Sequence, residues 1–91
     1  MALVTTEAIV LRSYNLAEAD RIVVFFTKVH GVVRGVAKGA KRLNSRFGSL
    51  LEPFTIVNLE YFEKEDRDLI SIRRRKIAIR DPEKLAKEIR V

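Results

Sequence analysis

Ninety-one residues with 47% hydrophobic content make one domain with one modest core, too little chain for a catalytic cleft between two lobes. Cysteine is absent, which excludes disulfides and thiolate metal sites, and the formal charge of +6 points to a polyanionic partner. No apolar run approaches the roughly 18–20 residues of a membrane span, and the amino terminus lacks a leader pattern, so a soluble, cytoplasmic protein is expected.

The apolar residues are mostly Val, Ile, Leu and Phe, which favours strands over a helical bundle. The first strand reads Thr6 to Tyr14, with Ile9 and Leu11 alternating with Val10 and Arg12, so that one side is apolar and the other turns polar. Ser13 to Asp20 is a polar connection. Ile22 to Thr27 is a continuous apolar run, β-branched or aromatic, expected as a strand buried over much of both faces. His30-Gly31 turns the chain into a third strand, Val32 to Lys38, completing a meander. Period-two alternation puts Val32, Arg34, Val36 and Lys38 on one face and the small set Val33, Gly35, Ala37 and Gly39 on the other. Small residues inside a strand suit the bend at a barrel corner.

Asn44 or Ser45 then caps a short helix whose Phe47, Leu50 and Leu51 share an apolar side, stopped by Pro53. A fourth strand, Phe54 to Glu63, turns Val57, Leu59 and Tyr61 inward. The fifth, Leu69 to about Ile79, is irregular because its alternation breaks at Arg73 to Arg75. Asp81-Pro82-Glu83 starts a last helix, with a capping side chain and proline at the first position. The expectation is a mainly β domain over residues 1–80, a small five-stranded OB-type Greek-key barrel with a short helix between strands three and four, and a C-terminal helix over 81–91.

Charge is segregated. From Arg21 to Leu51 there is no acidic residue, while Arg21, Lys28, Arg34, Lys38, Lys41, Arg42 and Arg46 fall inside. Arg73, Arg74, Arg75, Lys76 and Arg80 form a second basic run, and Glu60, Glu63, Glu65, Asp66 and Asp68 an acidic knot between the two. Phosphates attract Lys and Arg wherever these sit, and release of condensed counterions drives the association. Arg34, Lys38, Lys41, Arg42 and Arg46 mark a path along a nucleic-acid backbone, with Arg12 and Tyr14 beside it if the first three strands form a meander. Tyr14, Phe47 and Tyr61 are the aromatics weighed for base stacking, the last two read as core, so sequence-tolerant backbone contact is expected. The single histidine, His30, sits in a turn; no catalytic constellation, metal site or cofactor site is expected, and the glycines of residues 35–41 lack the G-x-x-x-x-G-K-[ST] spacing. An RNA-binding module of translation, and an interaction module docking an acidic partner tail, remain alternatives.

Certain residues carry a family likeness. T-E-A-I-V-L-R at Thr6 to Arg12, A-D-R-I-V at Ala19 to Val23, F-T-K-V-H-G at Phe26 to Gly31, A-K-G-A-K-R at Ala37 to Arg42, and S-R-F-G with L-E-P-F between Ser45 and Phe54 resemble the amino-terminal OB domain of the RecO family of bacterial recombination and repair mediators. The likeness covers Thr5 to Arg75. It implies binding of single- and double-stranded DNA near the bacterial nucleoid, annealing of complementary strands, and recombinase loading with RecR and single-strand-binding protein as partners. The family's basic strand and loop fall on Arg34, Lys38, Lys41, Arg42 and Arg46. Family members run on into a larger helical domain, often with a zinc site, and neither is carried over to this chain.

Overall fold

In the computed structural model, residues 2–41, 46–63 and 69–80 are described. They form a mainly β fold of six strands: β1 (Ala2–Leu16), β2 (Asp20–Thr27), β3 (Gly31–Ala37), β4 (Ile56–Glu63), β5 (Leu69–Ile72) and β6 (Ile77–Ile79). All six share one curled sheet of order β5-β3-β2-β1-β4-β6. The expected meander is present, since β1 pairs antiparallel with β2 and β2 with β3. The long first strand serves two neighbours. Its first half, from Ala2 to Ile9, pairs with β4, and its second, from Ala8 to Leu16, with β2.

The fifth strand expected over residues 69–79 is two strands instead. β5 pairs parallel with β3, and β6 pairs antiparallel with β4 at the other edge of the sheet. Between them Arg74–Lys76 make a 3₁₀ turn, with the Lys76 amide donating to the Arg73 carbonyl at 2.9 Å. One short segment thus touches both margins of the sheet and makes it curl. The irregularity read from Arg73 to Arg75 marks where the backbone leaves one margin for the other. Its cations fasten the crossing: Arg74 donates to the Arg46 and Ile77 carbonyls, Lys76 pairs with Glu60 at 3.0 Å, and Arg80 with Glu7 at 2.8 Å.

The short helix expected before strand four is a single 3₁₀ turn, Gly48–Leu51. Its N-cap position is Phe47, with no side-chain cap; Asn44 and Ser45 lie outside the described residues. Its apolar side is as expected, with Phe47, Leu50 and Leu51 buried. Gly48 enters with φ +52° and Pro53 follows closely, so there is no room for an α-helical ladder. The C-terminal helix expected over 81–91 also lies outside the described residues.

The core gathers Val10, Val23 and Phe25 from the meander, Val57, Leu59 and Tyr61 from β4, and Ile72 and Ile77 from the crossing segment. The inward placement of Val57, Leu59 and Tyr61 agrees with the alternation of that strand. Burial, and then the charge of Glu63, raises the pKa of the Tyr61 hydroxyl above its ordinary value. Strand β1 corrects the sequence reading: Val10 is fully buried, whereas Ile9 is 39% exposed, as Thr6, Ala8 and Val10 are the inward set. Ile9 and Val10 are both apolar, so hydrophobicity alone could not choose between the two faces.

Candidate nucleic-acid interface

A β-bulge decides which face Arg12 occupies. Up to Val10, paired with Phe25, even-numbered residues of β1 point into the core. The register then slips by one at Leu11, so that Arg12 opposes Val24 and Tyr14 opposes Ile22. A one-residue slip sends each following side chain to the opposite face. Without it Arg12 and Tyr14 would continue the inward set; with it both are exposed on the outer face.

The pairing across β2 extends this into rows. Val24 also opposes Arg34, so Arg12, Val24 and Arg34 form one line over three strands. The two arginines are separated by two strand spacings, roughly 10 Å. The next line is Tyr14, Ile22 and Val36, and Arg12 lies with its guanidinium carbon 6.0 Å from the Tyr14 ring centroid. On the other side of the arginines lies Ile9, Phe26 and Val32, an exposed apolar line. These three central lines contain no carboxylate. Of the carboxylates at their margins, Glu7 pairs with Arg80 and Asp20 accepts from the Gly39 amide at 2.8 Å, while Glu18 is exposed in the β1–β2 connection.

Lys38 and Lys41 continue from β3 into the turn over 38–41, and both are exposed. That turn folds against the β1–β2 connection, because the Lys41 amide donates to the Ala19 carbonyl at 3.0 Å and its Nζ lies 3.4 Å from the Ala17 carbonyl. The two lysines therefore stand at the Tyr14 end of the face. Arg46 is exposed, but its carbonyl accepts from Arg74 Nε, which sets it beside the crossing segment and not in line with Arg12 and Arg34. Arg42 lies outside the described residues. Of the seven residues expected to bind, the structure brings Arg12, Tyr14, Arg34, Lys38 and Lys41 to one side and puts Arg46 elsewhere.

Of the aromatics weighed for stacking, Phe47 and Tyr61 are buried and Tyr14 is 42% exposed. Three others escaped sequence reading, among them Phe62, exposed on β4 opposite Leu3. Phe26 belongs to the apolar run of β2 yet is 55% exposed, since it alternates with Phe25, which fills the core. Phe54 is 78% exposed at φ +68°, a left-handed backbone that bulky side chains rarely adopt. It is held there by a 2.6 Å bond from its amide to the Val10 carbonyl, next to the bulge. Alternation within β2 could have singled out Phe26; nothing local marks Phe54.

The family described as Recombination protein O N terminal matches residues 1–79. Proteins named DNA repair protein RecO are similar to this chain: that of a Nocardioides species is 57% identical over 65 residues, covering 71% of this chain and 27% of the relative. That of Bifidobacterium longum subsp. infantis is 49% identical over 71 residues, covering 78% and 30%, and that of Streptomyces coelicolor 48% identical over 64, covering 70% and 26%. The chain thus spans less than a third of the length of these relatives. With a match running from the first residue of β1 to the last of β6, the chain belongs to the family of RecO amino-terminal domains.

Proposed function

We propose that the chain is an OB-type, DNA-binding module of a recombinational repair protein, acting by electrostatic contact with the nucleic-acid backbone and not as an enzyme. The observation that carries this reading is the line of Arg12, Val24 and Arg34, central among three lines free of carboxylates and prolonged by Lys38 and Lys41. Cations at fixed spacing along a rigid sheet neutralise successive phosphates and release their counterions. The OB assignment is supported by a first strand shared between two neighbours and a parallel pairing of β3 with β5 in a curled sheet. The names of the relatives support a role in DNA repair.

Titrating a labelled oligonucleotide at several salt concentrations tests the reading. Engagement of about four phosphates, one for each of Arg12, Arg34, Lys38 and Lys41, gives a log–log slope near −2.8 on single strands. Arg12→Glu combined with Arg34→Glu lowers affinity evenly across sequences and flattens that slope. A slope near zero for the unaltered chain, or an unchanged affinity in the folded double variant, overturns it.

A further inference from the structure

Two features of the outer face are not used by backbone contact: the exposed line Ile9, Phe26 and Val32, and its position directly beside the arginine line. Apolar side chains on a sheet face are ordinarily buried or scattered, and here three consecutive strands each present one at the same level. The lines on either side of it differ in charge. On one side stand Arg12 and Arg34, about 7 Å away at two residues of strand rise. On the other, the backbone carbonyl of Glu7 accepts from the Lys28 amide, and the Glu7 side chain is neutralised by Arg80.

We infer that Phe26, set in the line Ile9–Phe26–Val32, is a stacking platform for an unpaired base, and that it makes the face select single strands over duplex. This rests on the nucleic-acid reading of the same face. A flexible strand whose phosphates lie along Arg12 and Arg34 can turn a base sideways onto the adjacent apolar line. There the Phe26 ring offers a flat π-surface, while Ile9 and Val32 extend the floor on both flanks. A duplex cannot do this, because its base faces are covered by their neighbours in the stack. It reaches the arginines but leaves the apolar line unfilled. Every base has such a face, so the selectivity is for unpaired strands and not for sequence. Tyr14, two lines further along and packed near Arg12, gives a second ring on the same face.

The test compares three probes of equal length and phosphate number: labelled oligothymidylate, the same strand with abasic sites throughout, and a duplex. Phe26→Ala weakens oligothymidylate about fivefold or more and leaves the abasic strand and the duplex unchanged. Phe26→Leu, which keeps an apolar side chain but removes the ring, weakens it likewise. Phe62→Ala, an exposed aromatic opposite Leu3 at the far end of the β1–β4 ladder, leaves all three probes unchanged. If Phe26→Leu binds oligothymidylate as tightly as the unaltered chain while Phe26→Ala does not, the line is an apolar contact without stacking, and the inference fails. It fails too if Phe26→Ala weakens all three probes alike or none of them. Absence of salt-dependent binding to any probe by the unaltered chain sinks the nucleic-acid reading itself, a result distinct from these.

Discussion

Gly35 stands on the inner face of β3, where an added Cβ would lie 2.5 Å from Ile72 Cδ1 and 2.6 Å from its Cγ1. The side chain of β5 occupies the space that the glycine leaves. Gly35→Ala is therefore expected to destabilise the fold by about 1–3 kcal/mol through overpacking. In an Ile72→Ala background the same change costs less, because the two closest crowding atoms are gone and only Ile70 Cγ1, at 3.0 Å, remains, and chemical denaturation of the four proteins in the cycle measures the difference. Strict additivity would show that the two residues do not compete for one space. The crowding was legible in part, since period two gathered Val33, Gly35 and Ala37 on one face and their smallness suited a bend at a barrel corner. That the neighbour would be Ile72 was not legible, because it arrives from a strand more than thirty residues away. Phe26 escaped for a related reason. An uninterrupted apolar run hides which of its members face outward until the flanking strands are placed.

At the level of elements, the bulge at Leu11 and the crossing at Arg73–Lys76 shape the candidate site more than any regular strand does. Deleting Leu11 removes the extra residue, so that Arg12 follows Val10 directly and keeps both its pairing with Val24 and its outward side. The inward set of β1 is then unchanged, so the deletion is expected to cost about 1–3 kcal/mol, through the half-buried Leu11 side chain and the local ladder, and to leave the outer face intact. Leu11→Ala, which keeps the bulge, is expected to cost much less, and denaturant midpoints of the two variants compare them directly. Equal midpoints would show that the extra residue itself adds nothing to stability. The sequence held no sign of the bulge, whose position depends on which residues of β2 oppose β1. It did hold a sign of the crossing, in the three consecutive arginines that end the alternation. Their structural use was missed, however, since Arg74 serves the backbone carbonyls of Arg46 and Ile77. The short helix shrank to one 3₁₀ turn because the apolar spacing of Phe47, Leu50 and Leu51 suits either geometry equally.

For the molecule as a whole, strand order was legible through the meander and the inward residues of β4, while the splitting of the last strand was not, because each half answers to a different partner. Segregated charge translated in part into a polarised surface: Arg12, Arg34, Lys38 and Lys41 share a side, whereas Arg74, Lys76 and Arg80 are consumed in fastening the sheet. The curl of the sheet also has a kinetic meaning. Hairpins β1–β2 and β2–β3 join neighbours in the chain, but the contacts of β1 with β4 and of β3 with β5 close loops of tens of residues. Such distant pairings form late and slow the search. Ile77→Ala, at the one buried position of β6, is therefore expected to cost about 2–5 kcal/mol and to appear in stopped-flow experiments mainly as faster unfolding, with the refolding rate little changed. A large drop in the refolding rate would instead put that strand in the nucleus. The meander is the early partner and the crossing segment the latch. A nascent chain emerging from a ribosome would thus show its arginine-bearing meander before residues 69–79 had come out to draw the two margins of the sheet together.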